Sequence, residues 1–345
     1  MNLSTRDISS YRTEIMGLCC LYIIISHNFF NWPDIFSPLR RLADCGNIAV
    51  DIFLMLSGIG LYFSYHRNRS LAGYYKKRFI RILVPYIFTA VPFYLWFSAV
   101  SNGVFWKDVL NISLFENGLR VTWYPVVALL CYLIFPFIFY FQNRPIIIFK
   151  KKLDSGCLTL LFCLLWFFGL CAMKRLCPDF YQNSEIVWTR VPIFVIGCRI
   201  GVAVAEDRPI SWEFVPASLF IIYVYLYIFR SQVSLPDLWI RMSYIPMSFA
   251  FLLLFLYLAK LTAKNWLGSF LRFFGTRSFE IYLVHVMLIR VWKHCFGAHV
   301  FDRYEILPFV IIIAVSVLVS TILFPIVGYI SGFLLRIGTK NTKNC

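Results

Sequence analysis

Apolar residues run along this chain in long blocks, and short clusters of charged residues separate them. The blocks cover roughly residues 14–30, 47–65, 80–100, 121–141, 154–173, 188–205, 212–230, 239–260, 276–296 and 305–335. A helix needs about 20 apolar residues to cross the hydrocarbon of a bilayer, and each block is close to that length. Continuous apolar runs are not the alternating repeat of a membrane β-barrel. The pattern therefore predicts an all-α fold, a polytopic membrane helix bundle of about ten transmembrane helices. The last block holds Pro325 and is expected to kink there. No internal repeat and no Gly/Ser linker divides the blocks. One integral-membrane domain is expected to fill residues 1–345, with its core at about 11–336.

Composition agrees with lipid as the main solvent. Sixty per cent of residues are apolar, 19% are aromatic and only 14% are charged, where a soluble domain is nearer half apolar and a quarter charged. A net charge of +16 on a soluble protein would suggest nucleic acid. Here the charges fall between the blocks and speak of topology instead, so no nucleic-acid partner is expected. The N-terminus, the even-numbered connections and the C-terminus hold 21 Lys and Arg, against 12 in the odd-numbered connections. That excess puts both termini in the cytoplasm. No small-residue cleavage site follows the first block, which reads as a retained span. The eleven cysteines form no CxxC pair and no Cys/His cluster at zinc spacing; they read as small apolar packers, and no metal site is expected.

Ionisable residues inside the blocks carry the candidate chemistry, because a charge at membrane depth is expensive. The first block with its leading residues, YRTEIMGLCCLYIIISHNFF, carries Arg12 and Glu14 near its start and His27 near its end. About 22 Å of helix separates Arg12 from His27. Span two runs the other way and brings Asp51 in at the same outer depth, where a carboxylate could orient the imidazole and hold its proton. Two plainer readings stand beside this: His27 facing water at headgroup level, and Asp51 capping its helix. Arg78 and Arg81 share a helix face at the cytoplasmic entry to span three. Their guanidinium forks suit phosphate, although positive-inside anchoring would also place them there. Glu14 could pair with Arg12 or Arg78.

Three further residues sit in later blocks. Tyr282 and His285 are three apart on span nine, and His285 is deep enough to be costly against lipid, so a site-lining or helix-bridging role is expected. Arg190 is placed at the outer edge of span six, where snorkelling to headgroups is easy. A sugar platform could lie among Trp123, Tyr124 and Trp32, but nothing separates these from an interfacial aromatic belt.

Taken together, YRTEIMGL…ISHN, GNIAVDIFLMLSG and YYKKRFIRILVPY resemble the membrane acyltransferase 3 family. Trp123-Tyr124, the RVPIFVIG stretch from Arg190 and the FGTRSFEIYLVH stretch ending at His285 agree, in the family's order and over almost the whole chain. The resemblance implies transfer of an acyl group, usually acetyl from acetyl-CoA, onto a carbohydrate hydroxyl. The usual acceptors are O-antigen, capsule or exopolysaccharide, and the usual location is the bacterial inner membrane. It implies dependence on His27 and matches Arg78 and Arg81 to a basic motif at the start of span three; the chemistry then expected is His27 as general base or acyl relay, with CoA phosphates held at Arg78 and Arg81. It also marks Arg190 and His285 as signature positions without assigned roles. Many members carry an Arg eleven positions before the span-one His. Here that position is Met16, and the nearest basic residue is Arg12. A rival from another class is a transporter or flippase of a polysaccharide system without acyl-transfer chemistry. It would call for paired broken helices in two similar halves, and the blocks show neither.

Overall fold

A computed structural model of the chain describes residues 3–27, 42–101, 103–116, 121–143, 146–148, 151–211, 213–226, 237–297 and 306–337. Trp32 lies outside them. Fifteen helices are seen among these residues: α1 (Thr5–Ser10), α2 (Arg12–Ser26), α3 (Asn47–Arg67), α4 (Leu71–Val100), α5 (Phe105–Val109), α6 (Ser113–Glu116), α7 (Trp123–Asn143), α8 (Ser155–Leu176), α9 (Pro178–Trp188), α10 (Val191–Glu206), α11 (Phe214–Val224), α12 (Asp237–Thr262), α13 (Trp266–Thr276), α14 (Ser278–Phe296) and α15 (Ile306–Ile337). Two short antiparallel pairs complete the elements, β1 (Leu3–Ser4) with β4 (Pro209–Ile210) and β2 (Ile146–Ile148) with β3 (Lys151–Leu153).

The fold is all-α, and the apolar blocks are helical over most of their described residues. Among the described residues seven helices are long and apolar enough to cross a membrane: Asn47–Arg67, Leu71–Val100, Trp123–Asn143, Ser155–Leu176, Pro178–Glu206, Leu238–Thr262 and Leu307–Ile337. The sixth block starts ten residues earlier than the pattern predicts. Pro178 opens α9 at a position whose missing N–H costs nothing. The α9 helix then breaks at Thr189–Arg190 before α10 continues. Local sequence sets other ends. Ser70 caps α4 by accepting from the Gly73 N–H at 3.2 Å, and Asp154 caps α8 by accepting from the Gly156 N–H at 2.8 Å. Pro85 and Pro92 both lie inside α4.

The chain divides into two compact units. The first contains residues 1–62, 196–279 and 292–313. Its centre is α2, packed against α13 and α12. The α2–α13 contact is a backbone-to-backbone approach. A Cβ at Gly17 would collide with the Leu271 carbonyl, and one at Gly275 with the Thr13 carbonyl. Small residues permit this closeness, the usual device of helix pairs in lipid. The amino-terminal strand is pinned beside the ends of α10 and α12. The Thr5 Oγ1 donates to Ala203 O at 2.9 Å, β1 pairs with β4, and Asp7 holds Lys260 at 2.6 Å.

The second unit contains residues 63–195, 280–291 and 314–345. Here α7 packs on α4, α8 and α9. Tyr65, Tyr74, Phe135 and Phe139 form an aromatic centre with ring separations of 5.0 to 5.7 Å. The Tyr74 hydroxyl donates to the Tyr132 carbonyl at 3.0 Å. Lys76, near the start of α4, reaches the Leu335 carbonyl near the end of α15 at 3.3 Å.

Candidate active site

The predicted site residues divide between the units. His27, Asp51, Arg12 and Glu14 belong to the first; Arg78, Arg81, Arg190, Tyr282 and His285 belong to the second.

In the first unit His27 caps the carboxyl end of α2 and is exposed at the protein surface. The preceding residue, Ser26, is buried, and its side chain fills the space a Cβ would take at Gly46. Gly46 immediately precedes α3, so the last turn of α2 lies beside the first turn of α3. Asp51 is one turn further along α3 and is buried. The Lys293 ammonium of α14 lies within electrostatic reach of His27.

The other end of α2 holds the two remaining residues. Arg12 lays its guanidinium over Gly60 of α3, where no side chain intervenes. Glu14 is buried, and its partner is Arg272 of α13, with Nη1 2.8 Å from Oε1. Arg272 also donates to Ala263 O at 3.1 Å and to Ser269 Oγ at 3.0 Å. This corrects the expectation that Glu14 would pair with Arg12 or Arg78. The apolar pattern leaves α13 in a connection, because its eleven residues are too few to span. Its signal is amphipathic spacing: Leu271, Phe274 and Gly275 face inward, while Trp266 and Phe270 face out.

In the second unit Arg78 is half-buried and Arg81 exposed near the start of α4. The Arg78 Nε has no hydrogen-bond partner among the described residues, and its guanidinium lies 6.0 Å from the Tyr74 ring. Arg190 is not an edge residue. It sits at the break between α9 and α10, is only 3% exposed, and stacks over Trp123 at 4.7 Å. Trp123 and Tyr124 open α7. The Tyr124 ring meets Tyr282 at 5.5 Å, and Tyr282 meets His285 at 5.9 Å. His285 is 2% exposed, with Nδ1 2.9 Å from the Ile281 carbonyl. Arg81 lies within electrostatic reach of Tyr124, and Tyr124 of Tyr282. The structure therefore brings Arg81, Tyr282, His285 and Arg190 into one cluster around two aromatic residues.

A further polar group escapes the sequence pattern. Tyr86 lies about 21 Å of helix before the end of α4. Its hydroxyl nevertheless donates to Val109 O and accepts from Asn111 Nδ2, both at 2.7 Å. The α5–α6 segment thus folds back along α4. Asn111 turns the chain there at φ 56°, a conformation its short side chain tolerates. Thr122 Oγ1 donates to Asn111 Oδ1 at 2.7 Å, which leaves Tyr94 to donate to Thr122 at 2.8 Å. Asp108 is 3% exposed, and its Oδ1 accepts from Ser113 Oγ at 2.5 Å. Buried irregular backbone needs its polar groups satisfied by protein, and these side chains help to do so. The signal in the sequence is the stretch GVFWKDVLNISLFE itself, too apolar for a solvated loop.

A family model described as an acyltransferase domain matches residues 17–325, from α2 to the middle of α15. Among curated proteins and among solved structures, no match was found. The matched stretch takes in both units and every candidate residue except Arg12 and Glu14, and with nearly the whole chain matched this protein belongs to the acyltransferase 3 family of membrane acyltransferases.

Proposed function

We propose that this chain transfers an acyl group, acetyl in the first instance, from a cytoplasmic acyl-CoA to a hydroxyl of a cell-surface carbohydrate or its lipid-linked precursor. The family match over residues 17–325 carries this reading. In it, one membrane domain of ten spans fills the chain, both termini are cytoplasmic, and the setting is a bacterial inner membrane. The contacts in each unit support that topology. The amino terminus sits beside the ends of α10 and α12, and the end of α15 sits beside the start of α4. All of these are basic-side positions.

In the mechanism we infer, the acceptor hydroxyl attacks the thioester carbonyl. A C–O bond forms and the C–S bond breaks. His27 takes the hydroxyl proton and returns it to the departing CoA thiolate. A sugar hydroxyl is a poor nucleophile at neutral pH, and general-base help of this kind contributes typically about 10² to 10⁴ in rate. A relay through an acyl-histidine uses the same residue. What favours His27 is its position: an imidazole at the end of α2, with buried Asp51 one turn into the neighbouring helix. Arg78 and Arg81 supply cations for the CoA phosphates. Arg12, lying across α3 at Gly60, supplies the charge that Met16 lacks.

The test uses labelled acetyl-CoA and membranes carrying the native chain or His27→Ala at equal abundance. The expected outcome is label on extracted glycan and free CoA from the native chain, with transfer lower by about 10² or more in the variant. Equal transfer by both would remove His27 from the mechanism. Glycan translocation without label would favour a transporter.

A further inference from the structure

Buried polar atoms are almost always hydrogen-bonded, so an exception asks for a reason. Among the described residues the second unit holds several exceptions whose residues are more than nine-tenths buried, Gln142 Oε1 and Ser320 Oγ among them, and two lie beside one hydrogen-bonded network. Asp108 spends Oδ1 on Ser113, while Oδ2 is buried with no partner among the described residues. Tyr282 is 8% exposed. The Tyr124 amide faces its hydroxyl, yet among the described residues that hydroxyl makes no hydrogen bond of normal geometry. The two belong to one neighbourhood: the Tyr94 hydroxyl is within electrostatic reach of both Asp108 and Tyr282. Around them the hydroxyls of Tyr86, Tyr94 and Thr122 are already committed to each other and to Asn111. Capacity has been left at two atoms beside a network that is otherwise spent.

The chemistry of the two atoms narrows what fits. A carboxylate oxygen calls for a donor, and a phenol can give or take. One carboxylate and one serine offer too few oxygens to cage a calcium or magnesium ion. The neighbouring side chains are aromatic: Tyr94, Tyr124 with its ring 5.5 Å from that of Tyr282, and the Trp123 ring that carries Arg190 on one face. A ligand with hydroxyl donors on a ring with apolar C–H faces satisfies all of these features, and that is a sugar.

We infer that Asp108 and Tyr282 form a recognition subsite for the carbohydrate acceptor, with Asp108 Oδ2 accepting from one sugar hydroxyl and the Tyr282 hydroxyl bonding another. This rests on the acyl-transfer reading and adds to it where the acceptor is held. Ser113 is then a positioning residue, fixing the carboxylate through Oδ1.

The experiment varies acceptor and donor separately, with the full-length chain in membranes, labelled acetyl-CoA as donor, and a de-O-acetylated cell-surface polysaccharide fraction as acceptor probe. Asp108→Asn keeps the Ser113 contact and the side-chain shape, and is expected to raise the half-saturating acceptor concentration about tenfold to a hundredfold. Tyr282→Phe is expected to raise it about threefold to tenfold. Neither should move the half-saturating acetyl-CoA concentration. Thermal stability separates recognition from support: Tyr282→Phe removes a hydroxyl without a hydrogen bond of normal geometry among the described residues and should leave the melting temperature unchanged or slightly higher. The inference is overturned if native transfer persists while both variants keep the native acceptor dependence, which is what buried water at these atoms would give. It is also overturned if acceptor affinity and melting temperature fall together. A native chain that transfers nothing to this probe would instead remove the acyl-transfer reading, and the subsite with it.

Discussion

Two buried carboxylates in this molecule are treated in opposite ways. Glu14 of α2 is closed off: Arg272 meets it at 2.8 Å, and the same guanidinium ties down Ala263 and Ser269. Asp108 of α5 is left open, with one oxygen on Ser113 and the other without a partner among the described residues. Burying a carboxylate is costly in either place. The first unit offsets that cost within its own structure, and so Glu14 reads as part of the joint between α2 and α13. In the second unit the offset is incomplete, and so Asp108 reads as part of a surface for something else. Burial and the ionisable group are alike in the two cases. The fate of the second oxygen is what separates support from recognition.

The sharpest way to break the first half of this contrast is to force α2 and α13 apart. Gly275→Val puts side-chain atoms where the Thr13 carbonyl already lies. Overpacking of a close contact typically costs about 1–3 kcal/mol and more when only backbone can yield. This is the largest effect expected here, and the variant should fail to accumulate in membranes at 37 °C. Native levels with native melting behaviour would show that α13 is not held on α2 as described.

A smaller effect comes from removing only the cation. Arg272→Ala leaves Glu14 buried with its charge unmet. Breaking a fully buried pair costs about 3–5 kcal/mol. Arg272 keeps 42% of its side chain exposed, so solvent can reach the pair, and about 2 kcal/mol is the better expectation. Adding Glu14→Gln to Arg272→Ala should restore most of the loss, read as melting temperature in a double-mutant cycle. If the two losses simply add, the pair is not the unit that the geometry suggests.

The contrast also explains what could be read from the chain itself. The apolar blocks were legible because lipid demands about 20 apolar residues per helix whatever the neighbours are. His27, Asp51 and Arg190 stood out because each is an ionisable group in an apolar run. Depth was harder to judge. Arg190 looked like an edge residue because Pro178 and the polar residues after it hide a helix that begins twelve residues earlier. Helix α13 was missed because eleven amphipathic residues resemble a connection. Asp108 was missed for a related reason: it lies between two apolar blocks, and only the return of Val109 and Asn111 to Tyr86 buries it. Long-range hydrogen bonds between a connection and a span have no local signature in sequence.

The smallest expected effect tests whether the network beside Asp108 is as complete as it looks. Tyr94→Phe deletes one hydroxyl, the donor to Thr122 Oγ1. Thr122 still donates to Asn111, and Asn111 still donates to Tyr86, so no donor is orphaned. The loss should be that of one ordinary buried hydrogen bond, about 1 kcal/mol. Tyr282→Phe is the comparison that gives this number meaning, because the same deletion there removes a hydroxyl that makes no hydrogen bond of normal geometry among the described residues. If melting temperatures fall for Tyr94→Phe and hold for Tyr282→Phe, the two phenols divide as the two carboxylates do, one spent on the fold and one kept for a ligand. Equal losses would mean that Tyr282 is held by a partner within the protein, and the open side of the contrast would rest on Asp108 alone.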